Sequence, residues 1–290
     1  MMVGYFATKG THLNIENDIN QLIAGAKPYP ALSLSSPVDP GMPLGTITVM
    51  DSSANSSYNA LWITATQRLS KGIQFGASYT WSKSPDEDSR TAEGITVQNS
   101  YDLQGDRGLS DFDARNRLSV NGIYDIPFGK GRLGGWELAP IVTFQSGNPI
   151  SFKTSNAAFT GVATLRPSVS GPVETGFTPA TNGSPVYVTY IQNPSVIYNP
   201  GNAFGNLGRN VIIGPGFSDA DLSLIKNTKI RDNAKLEFRA DAFDIANHPN
   251  FGQPNLTVGS STFGLVNSTR FPTGDSGSSR QMQLALKLIF

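Results

Sequence analysis

Catalysis and metal binding need nucleophiles, acids, bases or ligands brought together, and few stretches of this sequence offer them. Gly274, Asp275, Ser276 and Gly277 stand in the order found around a protease nucleophile. Such a serine works only beside a histidine that takes its proton and a carboxylate that orients the ring. The only histidines, His12 and His248, both fall in expected loops, so a flexible Ser/Gly linker is the expectation. Residues 129–134 match GxGxxG after a strand. A dinucleotide site requires a helix next, whose N-terminus receives the pyrophosphate. Here Gly135, Trp136 and Pro140 follow with strand alternation, so the segment reads as a turn. Asp86, Glu87 and Asp88 could hold a hard cation through carboxylate oxygens. The alternate-residue spacing and glycine of a calcium loop are missing, and a solvated acidic loop is the plainer reading. His248 has only Asp244 nearby, short of the three or four ligands zinc takes. With no convergent acid, base and nucleophile, no enzyme is expected, and no catalytic residue, cofactor or metal is assigned.

Composition narrows the classes further. The 290 residues include no Cys and balance 22 basic against 22 acidic side chains, with 38% hydrophobic content. A disulfide scaffold and thiolate sites are excluded. No Lys/Arg run offers nucleic acid a phosphate-binding patch. No apolar run approaches the roughly 20 residues of a spanning helix, but barrel strands of about 10 residues, half of them polar, escape that test. With 30 Gly and 19 Pro, strands and loops are favoured over helices. Strand-like VGYFATKG follows Met1 and Met2 without the charged and apolar regions of a signal peptide. For a surface or membrane protein, that implies a truncated chain.

The elements that would position any site have a period of two. In the closing stretch RQMQLALKLIF, Met282, Leu284, Leu286, Leu288 and Phe290 share one face. Gln281, Gln283, Ala285 and Lys287 share the other, with Ile289 out of step. A half-buried soluble strand alternates in the same way. An apolar ladder carried to a final aromatic instead points to a strand facing lipid, because termini of soluble chains usually fray. The alternation recurs over residues 59–69, 73–81, 118–126, 136–144, 218–228 and 236–242, and residues 3–8 read as the tail of another strand. The turn at residues 70–72 makes a hairpin of the two strands around it. Pro140 weakens the middle of its strand.

Short links after Leu69, Phe128 and Ile230 alternate with long ones over residues 11–56, 82–114, 147–216 and 247–279. An up-and-down sheet then has its turns at one edge and its loops at the other, as outer-membrane barrels do. Compact soluble domains rarely carry several such loops. Tyr58, Tyr79 and Trp81 fall near the long-loop end and Phe128, Trp136 and Phe290 near the other, as two interfacial belts would. On the polar parity, Arg68, Asp219, Asp221, Glu237, Arg239, Asp241 and Lys287 are expected to line a lumen and pair across strands. Facing lipid at mid-membrane, each charge would cost about 2–4 kcal/mol; a solvated face of a soluble sheet is the other reading. The expectation is all-β: an antiparallel, up-and-down transmembrane barrel fragment of about eight strands, open and strongly curved when alone. A secreted or cell-surface β-sheet module, an adhesin or carbohydrate binder, is the alternative and predicts apolar faces buried against a second sheet.

Three segments carry a resemblance: SYNALWITATQRLSKGIQFGASYTWSKS, DRGLSDFDARNRLSVNGIYDIPFG and KLEFRADAFDIANHPNFGQP. Together they resemble the barrel of TonB-dependent outer-membrane transporters, in the Oar-like group with a carboxypeptidase-regulatory-like domain. The resemblance covers nearly every expected strand, while the long loops match only in composition. It implies a cell outer-membrane location, a barrel of about 22 strands around a plug, and a TonB box coupling transport to the inner-membrane proton gradient. Residues 1–290 would be the C-terminal portion of such a barrel, with plug domain, TonB box and signal peptide absent. The implied partners are outer-membrane lipid, the barrel-assembly machinery, and the TonB system and plug through the missing N-terminal region. The long loops, 147–216 above all, would capture a small ligand. Met282, Leu284, Leu286, Leu288 and Phe290 would form the outer-membrane assembly signal.

Overall fold

A computed structural model describes residues 1–89, 97–127, 133–154, 165–180, 187–231, 233–270 and 279–290. Eight long strands form its frame: β1 (Met2–Asp18), β2 (Thr48–Ser70), β3 (Ile73–Lys83), β4 (Asn116–Ile126), β5 (Trp136–Gln145), β6 (Phe217–Arg231), β7 (Ala234–Phe243) and β8 (Gln281–Ile289). Each pairs antiparallel with its neighbours in chain order, an all-β meander. Helix among the described residues amounts to short 3₁₀ turns such as Leu103–Asp106 and Pro194–Val196. The sheet is open, since among the described residues β1 pairs only with β2 and β8 only with β7.

The first tight turn shows how register is set. Lys71 (φ 51) and Gly72 (φ 78) both lie in the left-handed region, the geometry of the hairpin turn whose twist matches that of its strands. Ile63 then stands opposite Tyr79, Tyr79 opposite Leu118, and Leu118 opposite Phe144. In the next row Ala65, Ala77, Val120, Val142 and Ala220 follow one another across five strands. At the other edge Ala240, Phe238 and Leu236 face Leu284, Leu286 and Leu288. A slip of one residue would turn a strand's apolar set to the other face, so this register gives the whole sheet one apolar side. Pro140 is accommodated within β5. Its partners in β6 are continuous, but pairing with β4 is broken between Asn121–Ile141 and Tyr124–Leu138. The missing N–H falls in that gap.

β3, β4, β5, β7 and β8 are 11, 11, 10, 10 and 9 residues long, the length that crosses a membrane as a tilted strand. β1 and β2, with 17 and 23 residues, run on past the long-loop end. Residues 11–56 are therefore not one polar loop. β1 continues to Asp18, β2 begins at Thr48, and only 19–47 connect them. Ladder hydrogen bonds need no apolar face, so this polar hairpin left no hydrophobic pattern to read. His12 consequently lies in β1 rather than a loop, at a register shift and with φ 56.

The packed core lies outside the spanning part of the sheet. One cluster joins Ile150, Phe152, Tyr190, Ile191, Ile197, Leu207 and Val266, all from the long connections. A smaller one joins Ile15, Ala54 and Val97 beside the extended hairpin. On the sheet's apolar side Phe75 and Leu286 are 39% and 68% exposed, and Val120 and Leu222 are half-buried. No second sheet covers this side among the described residues, so the burial predicted by the surface-module alternative is not found.

Candidate functional site

The connections 19–47, 84–115, 146–216 and 244–280 leave from one end of the sheet, and their described residues fold into a shared cap. Pro85 and Asp86 return along β2, with Asp86 opposite Ser56, and are paired in turn by Gly108 and Leu109. A Cβ on Gly108 would stand 2.4 Å from the carbonyl oxygen of Arg209, and one on Gly147 would stand 1.8 Å from that of Gly214. The glycines of these loops therefore let backbone meet backbone.

Two arginines of the longest connection bind its neighbour. Arg209 pairs with Asp86 and donates to the carbonyls of Asp86 (2.8 Å) and Asp106 (2.7 Å). Arg166 pairs with Asp106 and donates to the carbonyls of Gly105 (2.9 Å) and Leu207 (2.9 Å). The Gln98 amide donates to Asp106 (3.0 Å), and the Gln21 side chain donates to the Gln98 carbonyl (2.9 Å), bringing in the first connection. Ser110 and Ser89 donate to Asp86 at 2.6 and 2.8 Å. Asn210, held at φ 55, donates to Leu109 (2.7 Å) and Asp111 (2.6 Å). Buried charge is tolerated when paired and fully hydrogen-bonded, and these contacts meet that condition for Asp86 and Asp106. Asp86 and Glu87 are thus not a solvated loop. They are 3% and 7% exposed, and Glu87 pairs with Arg107 at 3.2 Å. Folding the acidic run back against β2 removed it from water.

The last connection joins through apolar packing. Phe263 meets Phe152 edge-on with ring centroids 5.3 Å apart, and Lys153 exchanges main-chain hydrogen bonds with Leu256 and Val258. Tyr190 donates its hydroxyl to the Ile213 carbonyl at 2.7 Å. Burial pushes that hydroxyl above its ordinary value of 10.0, and a hydrogen bond with Thr175 opposes the shift. Between the ion pairs and this core lies a cleft of about 380 Å³ with Ile150, Phe152 and Leu256 on one wall and Asp88, Asp111 and Arg209 on the other.

The register puts Asp219, Asp221, Glu237, Arg239, Asp241 and Lys287 on one polar face. Their pairing runs along β7 more than across strands. Arg239 binds Asp241 at 2.7 Å and Lys235 binds Glu237 at 3.4 Å, while Arg239 also donates across to Ser223 at 3.2 Å. Residues two apart on a strand share a face, which explains the first two pairs. Arg68, on β2, is separated from β6 by three strands and pairs with none of this group. Tyr79 and Trp81 lie on the apolar side, but Tyr58 stands opposite Thr8 on the polar side, against Phe6 at 6.1 Å, and leaves that belt. Phe128 lies outside the described residues, as do residues 129–132 and 274–277 of the two glycine motifs. After Gly135 the chain enters β5, not a helix. The His248 ring lies 3.4 Å from the Ser218 hydroxyl, and its amide donates to Asp244 at 3.1 Å. No group of metal-ligating side chains that could hold an ion occurs among the described residues.

Arg166, Arg209 and Asn210 were not singled out from sequence. A signal existed: Lys153, Arg166, Glu174 and Arg209 are the only charged residues of 147–216, and a rare charge in a neutral loop needs a partner when buried. A family model described as an outer membrane beta barrel domain matches residues 1–283. No curated protein matches the chain.

Proposed function

This chain belongs to the outer membrane beta barrel domain family, and on that premise we propose that it is the C-terminal barrel segment of a TonB-dependent transporter or receptor. Its location is the outer membrane. The observation that carries the transport reading is the open sheet itself. One continuous polar face leads from beneath a folded cap to the short turns, and both edge strands lack a partner on their outer side among the described residues. An unpaired edge is not sustained in hydrocarbon, so further strands complete the wall. The polar face then borders a lumen that a plug fills, and the cap cleft is where a small ligand is first held.

The TonB system acts through the plug, outside residues 1–290. The assembly machinery reads Met282, Leu284, Leu286, Leu288 and Phe290. The chain has no catalytic role in this reading. Uptake in the source cell tests it: disruption of the coding region should abolish proton-gradient-dependent accumulation of one class of iron chelate, sugar or peptide. Undiminished accumulation of all three classes would reject the transport role and leave the barrel assignment standing.

A further inference from the structure

We propose that Lys9 and Lys83 form a binding site for the phosphate of an anionic lipid headgroup in the leaflet at the long-loop end. The inference rests on the apolar face meeting lipid and is independent of transport. Over the spanning part of the eight strands, which ends at Lys9 and Ser57 in the first hairpin, the charged residues on that face are Lys9, Lys83, Lys226 and, at the short-turn end, Arg231, and no carboxylate joins them there. Lys9 stands opposite Ser57, and Lys83 opposite Asn59. The two lysines therefore flank β2 with their Cα atoms roughly 12 Å apart, from strand spacing and rise. The Tyr5 hydroxyl donates to Asn59 at 2.7 Å, which places both side chains on this side. Trp81, 41% exposed, is the preceding residue on the same face as Lys83. An amphipathic aromatic below and a lysine above is the order found where hydrocarbon gives way to headgroups.

Lys226, near the short turns, has its ammonium bonded to the carbonyls of Gly134 and Asn227 and lies 5.6 Å from the Trp136 ring centroid. Lys9 and Lys83 are exposed and enter no ion pair among the described residues. The carboxylates nearest Lys83 along the chain, Asp86 and Glu87, are committed to Arg209 and Arg107. Two ammonium groups without a protein counter-charge thus stand at headgroup height on the strands either side of β2. A lipid phosphate supplies the missing charge.

The test places the full chain in nanodiscs of phosphatidylcholine with a minority of phosphatidylglycerol and counts retained lipids by native mass spectrometry. Each lysine near an anionic surface contributes about fivefold. Lys9→Gln with Lys83→Gln should therefore lower phosphatidylglycerol enrichment by roughly 25-fold. Lys9→Arg with Lys83→Arg should keep it, and Lys153→Gln in the cap should leave it unchanged. Equal enrichment in the double Gln variant, its loss in the double Arg variant, or displacement of the lipid by inorganic phosphate would each overturn the proposal.

Discussion

The Arg209 guanidinium grips both the carboxylate and the main-chain carbonyl of Asp86, a residue 123 positions earlier in the chain. Because Asp86 is itself paired to Ser56 of β2, this one contact fastens the longest connection to the barrel wall. Arg209→Met leaves a carboxylate with a 4% exposed side chain without its counter-charge. Removing one partner of such a pair costs about 3–5 kcal/mol. Amide exchange in 84–115 and 146–216 should accelerate while β3 and β4 keep their protection. Unchanged exchange in the cap would refute the role given to Arg209. Adding Asp86→Asn should recover part of the loss.

Phe152 is 1% exposed at the centre of the cap's apolar cluster. Phe152→Ala should destabilise the cap by about 3–5 kcal/mol through lost burial and the cavity left behind. Limited proteolysis should then cut the long connections sooner, with the strands intact. Equal resistance of variant and parent would show that the cluster does not hold the cap together.

The two faces of the sheet should respond oppositely to charge. Leu222 stands between Pro140 and Ala242 on the apolar side, so Leu222→Arg should cost about 2–4 kcal/mol in a bilayer. Ser119→Arg, on the polar side beside Ser78 and Thr143, should cost far less. Urea titration of the membrane-inserted protein measures both, and equal penalties would contradict the assignment of faces.

Tyr190 gives the cap a dependence on alkaline pH. Burial raises its folded-state pKa above the ordinary 10.0. Its contribution is therefore fully present below that value and is lost as pH rises through the raised one. Its hydroxyl must also keep the proton it donates to Ile213. Cap stability should fall above about pH 10, and Tyr190→Phe should flatten that limb. A Phe variant with the parent's full alkaline slope would exclude Tyr190 as the source.

Deleting Phe290 should sharply reduce the protein's recovery in the outer-membrane fraction, if the closing strand is the assembly signal. The alternating residues of β8 would then be present but lack their terminal aromatic. Normal recovery would remove that role from Phe290.

Much of the barrel was legible in the residues because side-chain alternation on a strand is local. Ile73, Phe75, Ala77, Tyr79 and Trp81 announce their strand without help from any other part of the chain. Short and long links likewise alternate visibly, so the meander and its open end could be expected. The extended hairpin could not. Residues 48–56 pair with β1 through their backbone, and their few apolar side chains, Val49, Met50 and Ala54, follow no strand period.

The cap could be read least of all. Asp86 reads in the sequence as part of a solvated acidic loop and nothing there singles out Arg209, since neither residue type nor spacing indicates a partner more than a hundred residues away. Tertiary folding alone decided that they meet, and it paired Arg239 with Asp241 along one strand rather than across two. The physical division is between backbone periodicity, which acts between neighbours in sequence, and loop packing. The latter depends on which distant glycines, such as Gly108, let two chain segments come together.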